Sequence, residues 1–233
     1  MALFDAIKIR SALSQHRKGD VQAARSAYEQ LYAQGVIRAQ YMLPWSYLLL
    51  REGTQESFLK VKEILAKAQK APDLSDALRT DLLVNFAVAD YKLGNLEKAI
   101  SLLERAHQKS PSGDTYAALG CLYIEAGDTE KALALTNAAL EYDEEDPVIL
   151  DNMGQIYYRL LNDKEKALPY FQKAHEIKPS QIDTLWFLSR YDVEQGRRDE
   201  ALEKLETAQE GRFSPLNYVT KAQVEEEIAR LNG

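Results

Sequence analysis

Along most of this chain apolar residues return every three or four positions, the spacing that puts them on one face of an α-helix. Strand-like alternation between turn pairs is scarce, and Ala, Leu, Glu and Lys recur at helical spacing. The pattern predicts an all-α protein. It also repeats. The stretches "GNLEKA", "GDTEKA", "NDKEKA" and "GRRDEA" end at Ala99, Ala132, Ala167 and Ala201, spaced by 33, 35 and 34 residues. Seven residues after each comes a second alanine, at Ala106, Ala139, Ala174 and Ala208. About twelve residues upstream lies another small residue, Ala87, Gly120, Gly154 or Ser189, each directly preceded by a bulky one. Small residues let two antiparallel helices approach closely, and the large ones fill the space between that pair and the next.

The turns fit the same reading. Gly94, Gly127 and Gly196 stand where a first helix should end in a left-handed residue. Asn162 takes that place in the next-to-last unit, with one extra residue in the turn. Asp128 and Asp163 are placed to cap the next helix by accepting its free N–H groups.

The unit resembles the tetratricopeptide repeat, a helix–turn–helix of about 34 residues with Leu-Gly, Tyr, Ala, Phe and Pro at set positions. Its fifth copy carries Met153-Gly154, Tyr157, Ala167, Phe171, Ala174 and Pro179. The fourth keeps Leu119-Gly120, Tyr123, Ala132 and Ala139 but has Thr136 in place of the ring. The third and sixth offer Asp90 and Asp192 where tyrosine is usual. The register holds over about 135 residues.

The resemblance implies one array over 1–233, a right-handed superhelix of helix pairs with approximate repeats at 2–35, 36–78, 79–112, 113–146, 147–181 and 182–213. The first repeat is read from a helix over Ala2–Gln15 followed by Gly19, Asp20, Ala24 and Tyr28. The second is irregular, since Pro44 inside "YMLPWSYLLLREG" predicts a kink. A capping helix is expected over 220–232, opened by Thr220 and Gln223 in capping-box spacing. Its Val224, Ile228 and Leu231 should face inward, and Glu225–Glu227 should face water.

In this family the first helix of each unit lines a concave groove that takes a polypeptide ligand. The matching positions here are Asn85, Val88, Asp114, Cys121, Asn152, Gln155, Tyr158, Asp183, Trp186, Phe187 and Arg190. Asn85 and Asn152 follow the family pattern, and an asparagine can pair with both the N–H and the C=O of an extended backbone. The lysines with which some family members clamp a terminal carboxylate are absent, replaced by aspartates or apolar residues. The groove is mildly acidic with an aromatic end at Trp186 and Phe187, so a neutral or basic segment is the expected partner.

Charge and composition narrow the function classes. A net charge of −7 argues against nucleic acid, which needs clustered Lys and Arg to neutralise phosphates. The charge is uneven, with +5 over residues 1–70 and −12 over 71–233, which leaves room for a self-assembling protein joined end to end. The longest apolar stretch is too short to cross a bilayer, and Asp5, Lys8 and Arg10 interrupt any signal-peptide core, so cytoplasmic residence is expected without membrane insertion. Cys121 is the single cysteine. His107 and His175 occupy the same position two repeats apart and cannot converge on one ion, and "EYDEEDP" lacks calcium-loop spacing. No nucleophile elbow, phosphate loop or metal motif is present, so neither cofactor nor catalysis is expected. The sequence reads as an interaction scaffold.

Overall fold

The computed structural model of the protein describes residues 2–233. Thirteen α-helices and no strand form among the described residues, in agreement with the all-α expectation. They make two compact units, one ending at Ser110 and one running from Pro111 to Gly233.

The first unit holds α1 (Ala2–Arg17), α2 (Val21–Ala33), α3 (Ala39–Glu52), α4 (Gln55–Ala68), α5 (Asp76–Lys92) and α6 (Leu96–Lys109). Connections of two or three residues fold α1 on α2, α3 on α4 and α5 on α6. Tyr28, Leu31, Tyr41, Trp45, Ile64 and Leu82 form its buried core, with Tyr28 stacked on Tyr41 at 5.9 Å between ring centres. α3 continues through Pro44. The Asp73 carboxylate receives the free N–H groups of Ala39 and Gln40 at its start, at 2.8 and 3.1 Å. Asp90 is fully buried and pairs with Lys62 at 2.5 Å and Lys98 at 3.6 Å.

The second unit holds α7 (Gly113–Ala126), α8 (Thr129–Tyr142), α9 (Pro147–Gln155), α10 (Lys164–Ile177), α11 (Ile182–Glu194), α12 (Arg198–Gln209) and α13 (Lys221–Asn232). As expected, Asp128 and Asp163 cap α8 and α10 by accepting from Lys131 N and Lys166 N, and Gly127 and Gly196 take the left-handed φ. α9 does not stop at Gln155 but runs on as a π-turn over Ile156–Leu160, where Leu161 N–H donates to the Ile156 carbonyl. The extra residue of the 35-residue spacing is therefore absorbed inside the first helix of that repeat, before Asn162 closes it with φ of 52°. Phe171 is the centre of this core: it stacks on Phe187 at 4.8 Å, and a Cβ on Gly154 would come within 2.6 Å of its ring. Burying one such side chain contributes about 1.5–3 kcal/mol.

α13 has the expected capping box and buries Val224. Glu227, however, is buried rather than exposed. Arg190 and Arg230 hold its carboxylate at 2.6 and 2.7 Å, so it anchors the helix through ion pairs where solvation was expected.

Candidate binding groove

Three helices of the second unit, α7, α9 and α11, present polar side chains to a cavity of about 530 Å³ lined by Cys121, Asp151, Asn152, Gln155 and Asp183. Asp151, Gln155 and Arg159 follow one another at four-residue intervals and form a chain of hydrogen bonds. Gln155 Nε2 donates to Asp151 at 2.7 Å, and Arg159 donates to Gln155 Oε1 at 2.9 Å and to Glu125 at 2.7 Å. Thr184 of α11 donates to the other Asp151 oxygen at 2.6 Å. Asn152 reaches across to α7 and donates to the Ala117 carbonyl at 3.1 Å. Gly120 makes that crossing possible, since a Cβ there would meet the Asn152 amide at 3.0 Å.

The two carboxylates at this site are strained electrostatically. Burial, with the nearby Asp183 charge added, pushes the Asp151 carboxyl up to about 7 despite the bonds from Thr184 and Gln155. Burial raises Asp183 as well, against the bonds it accepts and the neighbouring Arg159 charge. Among the described residues no Lys or Arg makes an ion pair with either.

One side of the groove is covered by the protein's own chain. The segment between α12 and α13 turns back over it, and Asp183 accepts from Asn217 Nδ2 at 2.9 Å, Tyr218 N at 3.0 Å and Val219 N at 3.3 Å. Cys121 Sγ donates to the Leu216 carbonyl at 3.5 Å. The Tyr218 ring stacks on Phe187 at 5.2 Å and lies under the Arg159 guanidinium at 4.1 Å.

Two family models, each described as tetratricopeptide repeat, match residues 90–156 and 149–181, and solved structures of the same fold align with 76% to 98% of the chain. Residues 90–181 are tetratricopeptide repeats. A tetratricopeptide repeat protein from Parabacteroides merdae superimposes with a TM-score of 0.77 at 12% identity, over 98% of this chain and 84% of that one. A thermophilic TPR protein of Thermus thermophilus gives 0.57 at 19% identity, over 80% and 98%. YrrB, a TPR protein with an unusual peptide-binding site, gives 0.53 at 21% identity, over 76% and 88%. Among curated proteins none matches the sequence.

Four of the eleven expected groove residues come together at the cavity. Cys121, Asn152, Gln155 and Asp183 share the cavity, while Tyr158 packs edge-on to Tyr191 and meets Phe187 at 5.1 Å. Trp186 is buried under the Arg190 guanidinium at 3.9 Å, and Arg190 is held by Glu227 of α13. Asp114 is exposed at the start of α7, away from the cavity lining. Asn85 and Val88 lie in the first unit, where Asn85 donates to Ser46 Oγ at 3.0 Å and Val88 is core. Arg159, Asp151 and the segment 213–219 were not among the expected site residues. The signal for the last was available as three apolar side chains, Phe213, Leu216 and Tyr218, in a stretch with no helical period.

Proposed function

We propose that this tetratricopeptide repeat protein is a non-enzymatic adaptor that holds a neutral or basic segment of a partner polypeptide in the groove of α7, α9 and α11. The observation that supports this reading is that the groove already grips main chain: one carboxylate, Asp183, receives two consecutive backbone N–H groups and an asparagine amide. Beside it Asn152 and Gln155 line the cavity with amides that can serve both donors and acceptors of an extended strand. The carboxylates of Asp151 and Asp183 favour a ligand that brings hydrogen-bond donors or a positive charge. The test is capture of partner proteins from native-host extract by the wild-type chain and by an Asn152→Ala/Gln155→Ala variant whose helicity is unchanged. Two lost hydrogen bonds cost about 1–3 kcal/mol, so the captured partner should bind about 5- to 150-fold more weakly. Equal capture by the folded variant overturns the groove reading.

Self-assembly is the second reading, and α1 supports it. Phe4 and Ile7 on that helix are 71% and 57% exposed, an apolar face on the basic end of the sequence. Sedimentation at rising protein and salt concentration tests it, with a strictly monomeric species counting against it.

A further inference from the structure

Within the second unit, consecutive helix pairs are joined by residues 143–146 and 178–181, four residues each, whereas 210–220 between α12 and α13 is eleven residues long. The additional length is not slack. Gly211 lies so close to α11 that a Cβ there would meet Ile182 at 2.8 Å. Phe213 packs against the core of the unit, and Val219 is buried. Ser214 and Asn217 close a turn on each other, with Ser214 N donating to Asn217 Oδ1 at 2.6 Å and Asn217 N to the Ser214 carbonyl at 3.0 Å. From that turn Asn217, Tyr218 and Val219 deliver three donors to Asp183, and Leu216 delivers a carbonyl to Cys121 on α7, 95 residues away in sequence. The Tyr218 ring is held between Phe187 and Arg159 and is still 42% exposed.

A connection needs none of this to join two helices. The contacts are those of a bound peptide: an acceptor for successive N–H groups, a donor for a carbonyl, and a ring slot with an aromatic floor and a guanidinium lid. We infer that Phe213–Val219 occupies the groove in cis as an internal ligand, and that a partner enters by displacing it with a segment of the same chemistry. That segment carries an asparagine followed by an aromatic and an aliphatic residue, the aromatic ring going between Phe187 and Arg159. This rests on the groove reading above and gives it a ligand class and a control. A tethered occupant acts at an effective concentration of about millimolar. The free groove is then a minor state, and the affinity for any added ligand falls by the fraction that is open. The half-exposed Tyr218 is the place where the exchange can begin, because within Phe213–Val219 it is the residue most open to solvent.

The experiment uses the full chain and a fluorescein-labelled peptide with the sequence of residues 212–220, titrated by fluorescence anisotropy. Wild type should bind the peptide weakly. Tyr218→Ala, which frees the ring slot and leaves every groove residue in place, should bind it at least tenfold more tightly. Adding Phe187→Leu to that variant should return the affinity to the wild-type level or below. Gly211→Ala serves as a second opening variant, since its Cβ lifts the segment from Ile182 without touching the ring slot. If both variants keep wild-type helicity and neither binds the peptide more tightly than wild type, the inference is overturned. A wild-type dimer that dissociates on Tyr218→Ala would also overturn it, by assigning the slot to a second copy. The outcome is separable from that of partner capture: capture lost in the Asn152/Gln155 variant with no peptide response sinks only the internal ligand. Peptide binding without an effect on capture keeps the internal ligand and sinks the partner groove together with the exchange.

Discussion

Two pairs of buried aspartates occupy this molecule, and they are treated in opposite ways. Asp90 of α5 and Asp192 of α11 stand where the repeat usually has tyrosine, and both are surrounded by cations. Asp90 has Lys62 and Lys98, while Asp192 has Arg197, and Lys204 at 2.7 Å. Asp151 and Asp183 are as deeply buried, yet they receive only neutral donors from Thr184, Gln155, Asn217 and the backbone. A buried carboxylate costs several kcal/mol of desolvation unless an opposite charge offsets it. The first pair has been fitted to its surroundings by the chain itself. In the second, desolvation is offset only by neutral hydrogen bonds and the Arg159 charge near Asp183, and both carboxyls are pushed toward the protonated form.

The largest effect expected from this contrast comes from stripping cations off the first pair. Lys62→Met with Lys98→Met leaves the Asp90 carboxylate buried without an opposite charge, and should destabilise the protein by about 3–5 kcal/mol in urea unfolding. Adding Asp90→Asn should recover most of that loss, and a double lysine variant as stable as wild type would show that the contrast has no energetic content. A smaller effect of different form is expected at Asp151. Its folded-state value of about 7 lies above that of an unfolded aspartate, so the native state holds the proton more tightly. The stabilising contribution is therefore complete at low pH, below about 4, and is lost as pH rises to about 7. Thermal melts across that window should show the decline in wild type and a flatter profile in Asp151→Asn. The smallest effect belongs to Glu227, whose hydrogen bond from Arg230 and pairing with Arg190 hold it below the usual carboxylate range. This contribution has the opposite sign, present above about pH 4.3 and lost as pH falls. Glu227→Gln should cost about 1 kcal/mol at neutral pH, with the difference from wild type vanishing in acid.

The helix pairs were legible in the sequence because close packing forces small residues to recur, and Ala99, Ala132, Ala167 and Ala201 record the period directly. All four are fully buried. Caps and turns were legible for the same reason, since Asp128, Gly127 and Thr220 act within three or four residues of themselves. The period also set the helix face that carries Cys121, Asn152, Gln155 and Asp183, which line one cavity. The ion pairs were not legible. Asp90 could be recognised as a departure, but Lys62 lies 28 residues earlier on another helix, outside any repeating offset. The segment 213–219 escaped for a related reason: it has no period, and its contact with Cys121 is a matter of folding rather than of pattern. Glu227 was misassigned because a run of glutamates carries no indication that one of them meets Arg190.

The π-turn in α9 has a consequence for anyone who would treat these repeats as interchangeable parts. It acts as a phase shifter. One residue of an α-helix advances the side chain about 100° round the axis, so an insertion within the turn re-aims the side chains beyond it, Arg159 included, before Asn162 ends the helix. The packing positions of α10 then resume in step, with Ala167, Phe171 and Ala174 all buried. Trimming the extra residue to make a uniform array would keep the beat of the repeat and swing the Arg159 guanidinium off the face of Tyr218. In this chain the irregular spacing is the tuning, and a tidier sequence would be a deafer one.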